Sequence, residues 1–203
     1  MPLLPPILPL IPEKPAGLSS ANRDEQLRSA VKYIEDQGKY IEVLSRNLKS
    51  FTQDLLNLIN NRPSFLVKPT SDQLNIAIDG WVNILFETTV FDIGDSFSSY
   101  YFTAPIKGIY LLSATLYAMN LDSAATYYWI RINGSNRDIF GTMLDIDLLA
   151  SGDLAFHNFV CVGLLDMDQG DVAYVQMYQS GGTAQTDIEA DYSSFSGCLL
   201  LAQ

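Results

Sequence analysis

The chain has 203 residues, 48% hydrophobic and 17% charged, with 12 Lys/Arg against 23 Asp/Glu and a formal charge of -11. That apolar content excludes disorder over most of the length, and the acidic surplus repels nucleic acid. No apolar run reaches the roughly 18 residues a membrane span needs, so no membrane insertion is expected.

Charge is unevenly spread. Residues 1–73 hold 9 basic and 8 acidic side chains, a balance of +1. Residues 74–203 hold 3 basic ones (Lys107, Arg131 and Arg137) and 15 acidic ones, a balance of -12. Two regions of different surface chemistry are expected.

Residues 1–18 set proline among large aliphatics: Leu3, Leu4, Pro5, Pro6, Ile7, Leu8, Pro9, Leu10 and Ile11. The prolines forbid a continuous helix and no basic residue precedes Lys14, so a secretory leader is not expected. An extended, polyproline-like segment with exposed aliphatics reads as a docking peptide for a groove on another protein. Proline lowers its ordering cost, and the aliphatics supply contact area.

Residues 19–62 read as a helical stalk. Ser19, Ser20 and Asn22 offer caps, and Pro63 stops the helix. Leu27, Ile34, Ile41, Leu48 and Leu55 recur at a strict interval of seven. The alternate seam runs Val31, Gly38, Ser45, Thr52 and Ile59, apolar at its ends and weak in its middle, while Leu44, Phe51 and Leu58 widen the stripe. A pattern held for about five heptads predicts a parallel coiled coil, roughly 54 Å long.

Residues 63–73, bounded by Pro63 and marked by Pro69, read as a linker, and 74–203 as a β-rich knob. Strands are expected at 74–78, 81–86, 98–102, 108–120, 126–132, 137–143, 154–165, 171–178 and 192–202. Asn133-Gly134 is a tight-hairpin signal; Asp79-Gly80, Gln169-Gly170 and Gly181-Gly182 also mark turns. Short strands without helical spacers predict an antiparallel jelly-roll sandwich, so the fold class is mainly β behind a helical stalk. In 108–119 one face reads Tyr110, Leu112, Ala114, Leu116 and Ala118, and the other Ile109, Leu111, Ser113, Thr115, Tyr117 and Met119. A strand with one face in water should alternate polar and apolar residues. The second apolar face calls for self-association.

Phe86, Asp92, Phe97, Phe102, Gly108, Tyr110 and Leu112 resemble the signature of the complement-subcomponent-q globular head, of the tumour-necrosis-factor jelly rolls. Leu164 to Val172 is similar to its Gly-Asp hairpin, and the run through Phe195 and Gly197 to its closing strand. Leu112 and Ala114 stand where the pattern has aromatics. The resemblance implies a homotrimer, with Phe86, Phe102, Gly108, Tyr110, Phe195 and Gly197 as scaffold. Peptide, stalk and knob in this order resemble the fibres that bacterial viruses carry on capsid or tail.

Candidates for chemistry are sparse. His157, between aromatics on a strand, has no Gly-x-Ser-x-Gly partner and reads as structural. Cys161 and Cys198 lie in apolar runs and read as free, buried thiols. Asp187, Glu189 and Asp191 share one strand face and could hold Ca²⁺, although a solvated acidic face explains them as well. Trp81, Trp129, Tyr127 and Tyr128 could stack on a sugar ring, or pack in the core or at a trimer seam.

The expectation is therefore non-enzymatic: a trimeric virion fibre, docked by its first residues on a capsid or tail protein. Its knob would face a host-surface glycan or protein, without cofactor, at the virion surface. The alternative is a secreted, extracellular complement-like or lectin-like module of cellular origin. A glycan hydrolase would rest on abundant carboxylates alone.

Overall fold

A computed structural model describes residues 23–60, 62–146 and 152–203. The expected docking peptide, Leu3 to Ile11 included, lies outside the described residues. The chain forms two units, Met1–Asn60 and Asn61–Gln203.

In the first unit, α1 (Arg23–Asn60) runs 38 residues without a proline, inside the bounds expected for the stalk. An amphipathic helix normally hides its apolar stripe against its own domain. Here Leu27, Val31, Ile34, Ile41, Leu48 and Leu55 stand 45–68% exposed. The side chain of Ile59, the last seam position, is outside those described.

The second unit is all β. Its strands are β1 (Ser64–Lys68), β2 (Trp81–Asn83), β3 (Thr88–Ile93), β4 (Phe97–Ser98), β5 (Tyr101–Thr103) and β6 (Gly108–Leu121). They continue with β7 (Ala125–Gly134), β8 (Asp138–Asp145), β9 (Leu154–Met167), β10 (Val172–Gly181) and β11 (Asp187–Ala202). One sheet has the order β3-β1-β11-β6-β9; the other has β4-β5-β10-β7-β8, with β2 also pairing β10. Every ladder is antiparallel.

Four local expectations are corrected. The 63–73 linker supplies β1, seated between β3 and β11, with Phe65 and Val67 in the core. Residues 74–78 make no strand; Asn75 and Asp79, at φ 59° and 60°, interrupt extension there. At the β7–β8 hairpin, Asn133 and Gly134 end the strand and Ser135-Asn136 makes the turn, the Gly134 N–H donating to the Arg137 carbonyl (3.1 Å). The edge strand β3 has no counterpart among the expected strands.

The scaffold residues converge. Phe65 stacks on Phe102 (4.8 Å) and meets the edge of Phe195 (5.0 Å); Phe86 lies 5.8 Å from Phe195, and Tyr110 5.2 Å from Phe102. The Tyr110 hydroxyl donates to the Ile106 carbonyl (2.7 Å), so a buried ring keeps its polar tip satisfied. Gly108 is required by close approach rather than by a turn: a Cβ there would lie 2.5 Å from the Leu201 carbonyl oxygen. At Gly197 it would lie 2.5 Å from Leu112 and 2.7 Å from Phe65.

A buried carboxylate clasps the loop after β10. Asp122 accepts the N–H groups of Ala124 (2.8 Å) and Ala184 (2.7 Å), and also that of Thr183. These donors hold its pKa below the usual 3.8. A depressed carboxylate contributes stability above its unfolded value and loses it as pH falls through the folded one. Melting temperature should therefore drop as pH falls below about 3.8, and Asp122→Asn should flatten that acid limb. At neutral pH the same variant should cost about 2 kcal/mol, readable in denaturant titrations.

Candidate functional site

Two faces of the sandwich carry what the core does not use. On the sheet containing β6 and β9, side chains turned away from the core meet in register: Leu111 opposite Leu164, Ser113 opposite Val162, Thr115 opposite Val160, Met119 opposite Phe156. Leu111 also faces Cys198 on β11. Phe156, Val160, Val162 and Leu164 are exposed. Farther along, Tyr117 stacks on Phe156 (5.5 Å) and meets Tyr192 (5.1 Å). The second apolar face expected from the sequence of β6 is present, and β9 extends it.

The outward face of the other sheet is built in rows. Trp81 on β2, Tyr178 on β10, Trp129 on β7 and Met143 on β8 lie side by side. The next row holds Asn83, Gln176, Arg131 and Phe140. Trp129 packs on Phe140 (4.5 Å), Trp81 on Tyr178 (5.3 Å), and Tyr127 on Tyr178 (5.8 Å). The Arg131 guanidinium lies over Trp81 at 4.1 Å. It donates to Gln176 Oε1 (2.8 Å) and Asp138 Oδ2 (2.6 Å), and Gln176 Nε2 donates to Asn83 (2.8 Å). Opposite charge is thus cancelled inside the face.

Of the four aromatics singled out from the sequence, Trp81, Trp129 and Tyr127 share this face. Tyr128 does not: it is fully buried and its hydroxyl accepts the Asp122 N–H (2.8 Å). Burial pushes its pKa up to about 12. Sequence reading missed Tyr178, Phe140 and Arg131, although the two-residue spacing Tyr127, Trp129, Arg131 was a usable signal.

The remaining candidates are apart. The His157 ring packs edge-on against Phe159 (4.6 Å), and burial lowers its pKa, which keeps the imidazole neutral at neutral pH. Cys161 is a buried free thiol whose pKa burial pushes up to about 11, so little thiolate is present. Cys198 is free and half-buried. Asp187 accepts from the Asn75 N–H (2.7 Å) and Asn120 Nδ2 (2.9 Å). Among the described residues no group of three such side chains is gathered to hold a metal, Glu189 and Asp191 included.

No protein-family model and no curated protein matches the chain. The globular domain of zebrafish complement 1qA protein superposes with a TM-score of 0.52 at 15% identity, over 70% of this chain and 99% of that one. The sandwich shares the jelly-roll fold of that domain. That agrees with the fold implied by Phe86, Phe102, Gly108 and Tyr110. Crystal structures of murine APRIL at pH 5.0 and 8.0 overlap at TM-scores of 0.46 and 0.48, with 14% and 12% identity. Each covers 68% of this chain and 99% of that one, and the complement domain carries the fold assignment.

Proposed function

We propose that the chain is a non-enzymatic structural and adhesion protein that works as a homotrimer. The observation that supports this best is the recurrence of unburied apolar surface in both units. The α1 seam is exposed from Leu27 to Leu55, and the β6–β9 face is apolar where a solvated sheet should be polar. Helix seams of this period are covered by copies of themselves, and three copies of the β6–β9 face can close about one axis.

On this reading the protein is a virion capsid or tail fibre. Residues 1–18 anchor it, α1 is the spacer, and the sandwich presents a surface to a host glycan or protein with the avidity of three copies. The proline-aliphatic composition of the anchor supports docking in a groove. Removing residues 1–15 should abolish incorporation into particles, measured by immunoblot of gradient-purified virus, while the sandwich keeps its melting temperature. Undiminished incorporation would contradict the anchor. Absence of the intact chain from every particle fraction would favour the secreted module instead.

A further inference from the structure

On the trimer reading, further copies of the chain cover the β6–β9 face. The opposite face, where Trp81, Tyr178, Trp129 and Phe140 lie, is given no cover by that reading. A water-facing sheet surface should be polar, yet this one is aromatic. We infer that this aromatic platform is a binding site for uncharged oligosaccharide. The inference deepens the adhesion reading and rests on it.

Three features select the ligand. First, the rings belong mainly to Trp and Tyr, which join an apolar plane to a polar edge. The Trp81 indole N–H and the Tyr127 and Tyr178 hydroxyls have no hydrogen-bond partner among the described residues, whereas the Trp129 N–H donates to Gly141 (3.2 Å). A pyranose matches this surface, with C–H bonds for the ring faces and hydroxyls for the polar edges that no described protein group engages.

Second, charge disfavours acidic sugars. All three basic residues beyond position 73 are in ion pairs: Lys107 with Asp168, Arg131 with Asp138, and Arg137 with Asp166. Each cation of that segment already faces a carboxylate and the segment's balance is -12, so a sialate or uronate meets net repulsion. Third, the polar fringe is preorganised and neutral overall. Gln176 is 8% exposed and holds both Arg131 and Asn83, so amide and guanidinium edges stand beside the rings without a search through rotamers.

The protein contains two tryptophans, and both lie on the platform, so their emission reports occupancy directly. The full chain should be applied to an array of uncharged hexose and N-acetylhexosamine oligomers beside sialylated and uronate oligomers. Retention of uncharged oligomers is expected, with tryptophan emission shifting as the same oligomer is titrated in solution. Trp81→Ala and Tyr178→Ala should each weaken retention at least tenfold; Tyr127→Ala, at the platform edge, is the milder variant should either fail to fold. Retention of acidic oligomers alone, no retention, unchanged emission on binding, or variants that bind like the parent would overturn the inference. Sedimentation of the same samples separates the two readings. A trimer that retains no sugar overturns the platform alone, and a monomer that retains sugar overturns the trimer alone.

Discussion

Val162→Asp is expected to yield a folded sandwich that no longer assembles. Val162 is exposed at the centre of the β6–β9 face, opposite Ser113 and two residues from Leu164. In an isolated sandwich the new carboxylate meets water and costs little. In a trimer it would sit in a desolvated apolar seam, where an unpaired charge costs several kcal/mol and the contact of the lost valine adds roughly 1.5 kcal/mol. The association constant should fall at least a hundredfold. Light scattering after size exclusion should return the 22.5 kDa chain mass for the variant, with the β-sheet circular dichroism of the parent. A variant that assembles like its parent would show that this face is not the seam.

The second large effect lies in the aromatic core. Phe195 is fully buried and its ring meets Phe65, Phe86 and Phe97. Phe195→Ala removes those contacts and leaves a cavity that stacked neighbours collapse into only partly, so it should cost about 3–5 kcal/mol. For a domain of this size that is a fall of roughly 10–15 °C in melting temperature. Gly197→Val should be comparably damaging from the opposite cause. Its Cβ would meet Leu112 at 2.5 Å on one side and the Phe65 ring at 2.7 Å on the other, so the two sides cannot both yield. A loss under 1 kcal/mol in either variant would mean that the cluster does not hold the two sheets together.

What could be read from residues alone follows the physics of each signal. Long strands with both faces apolar, such as β6 and β9, announce themselves by composition. So does α1, whose seam keeps one period over five turns of the pattern. The scaffold phenylalanines could be found because each fills a fixed place between two sheets, and spacing along the chain records that place. β1 was hidden because Pro63 and Pro69 flank it like a linker; only the alternation of Phe65 and Val67 betrays it. β3 was hidden because an edge strand buries little: Thr88 to Phe91 are all exposed. The aromatic platform was half legible. Tyr127, Trp129 and Arg131 alternate on one strand, but Trp81, Tyr178 and Phe140 come from three others and meet them only through cross-strand register. Tyr128, one residue out of phase with Tyr127 and Trp129, turns to the other face and packs in the core, one of the places expected for it.

The central claim is that this chain hides its apolar seam and sheet face in a bundle of three. Sedimentation equilibrium of the intact protein at micromolar concentration tests it most directly. The account predicts one species at three times the 22.5 kDa chain mass, and a single species at 22.5 kDa would contradict it.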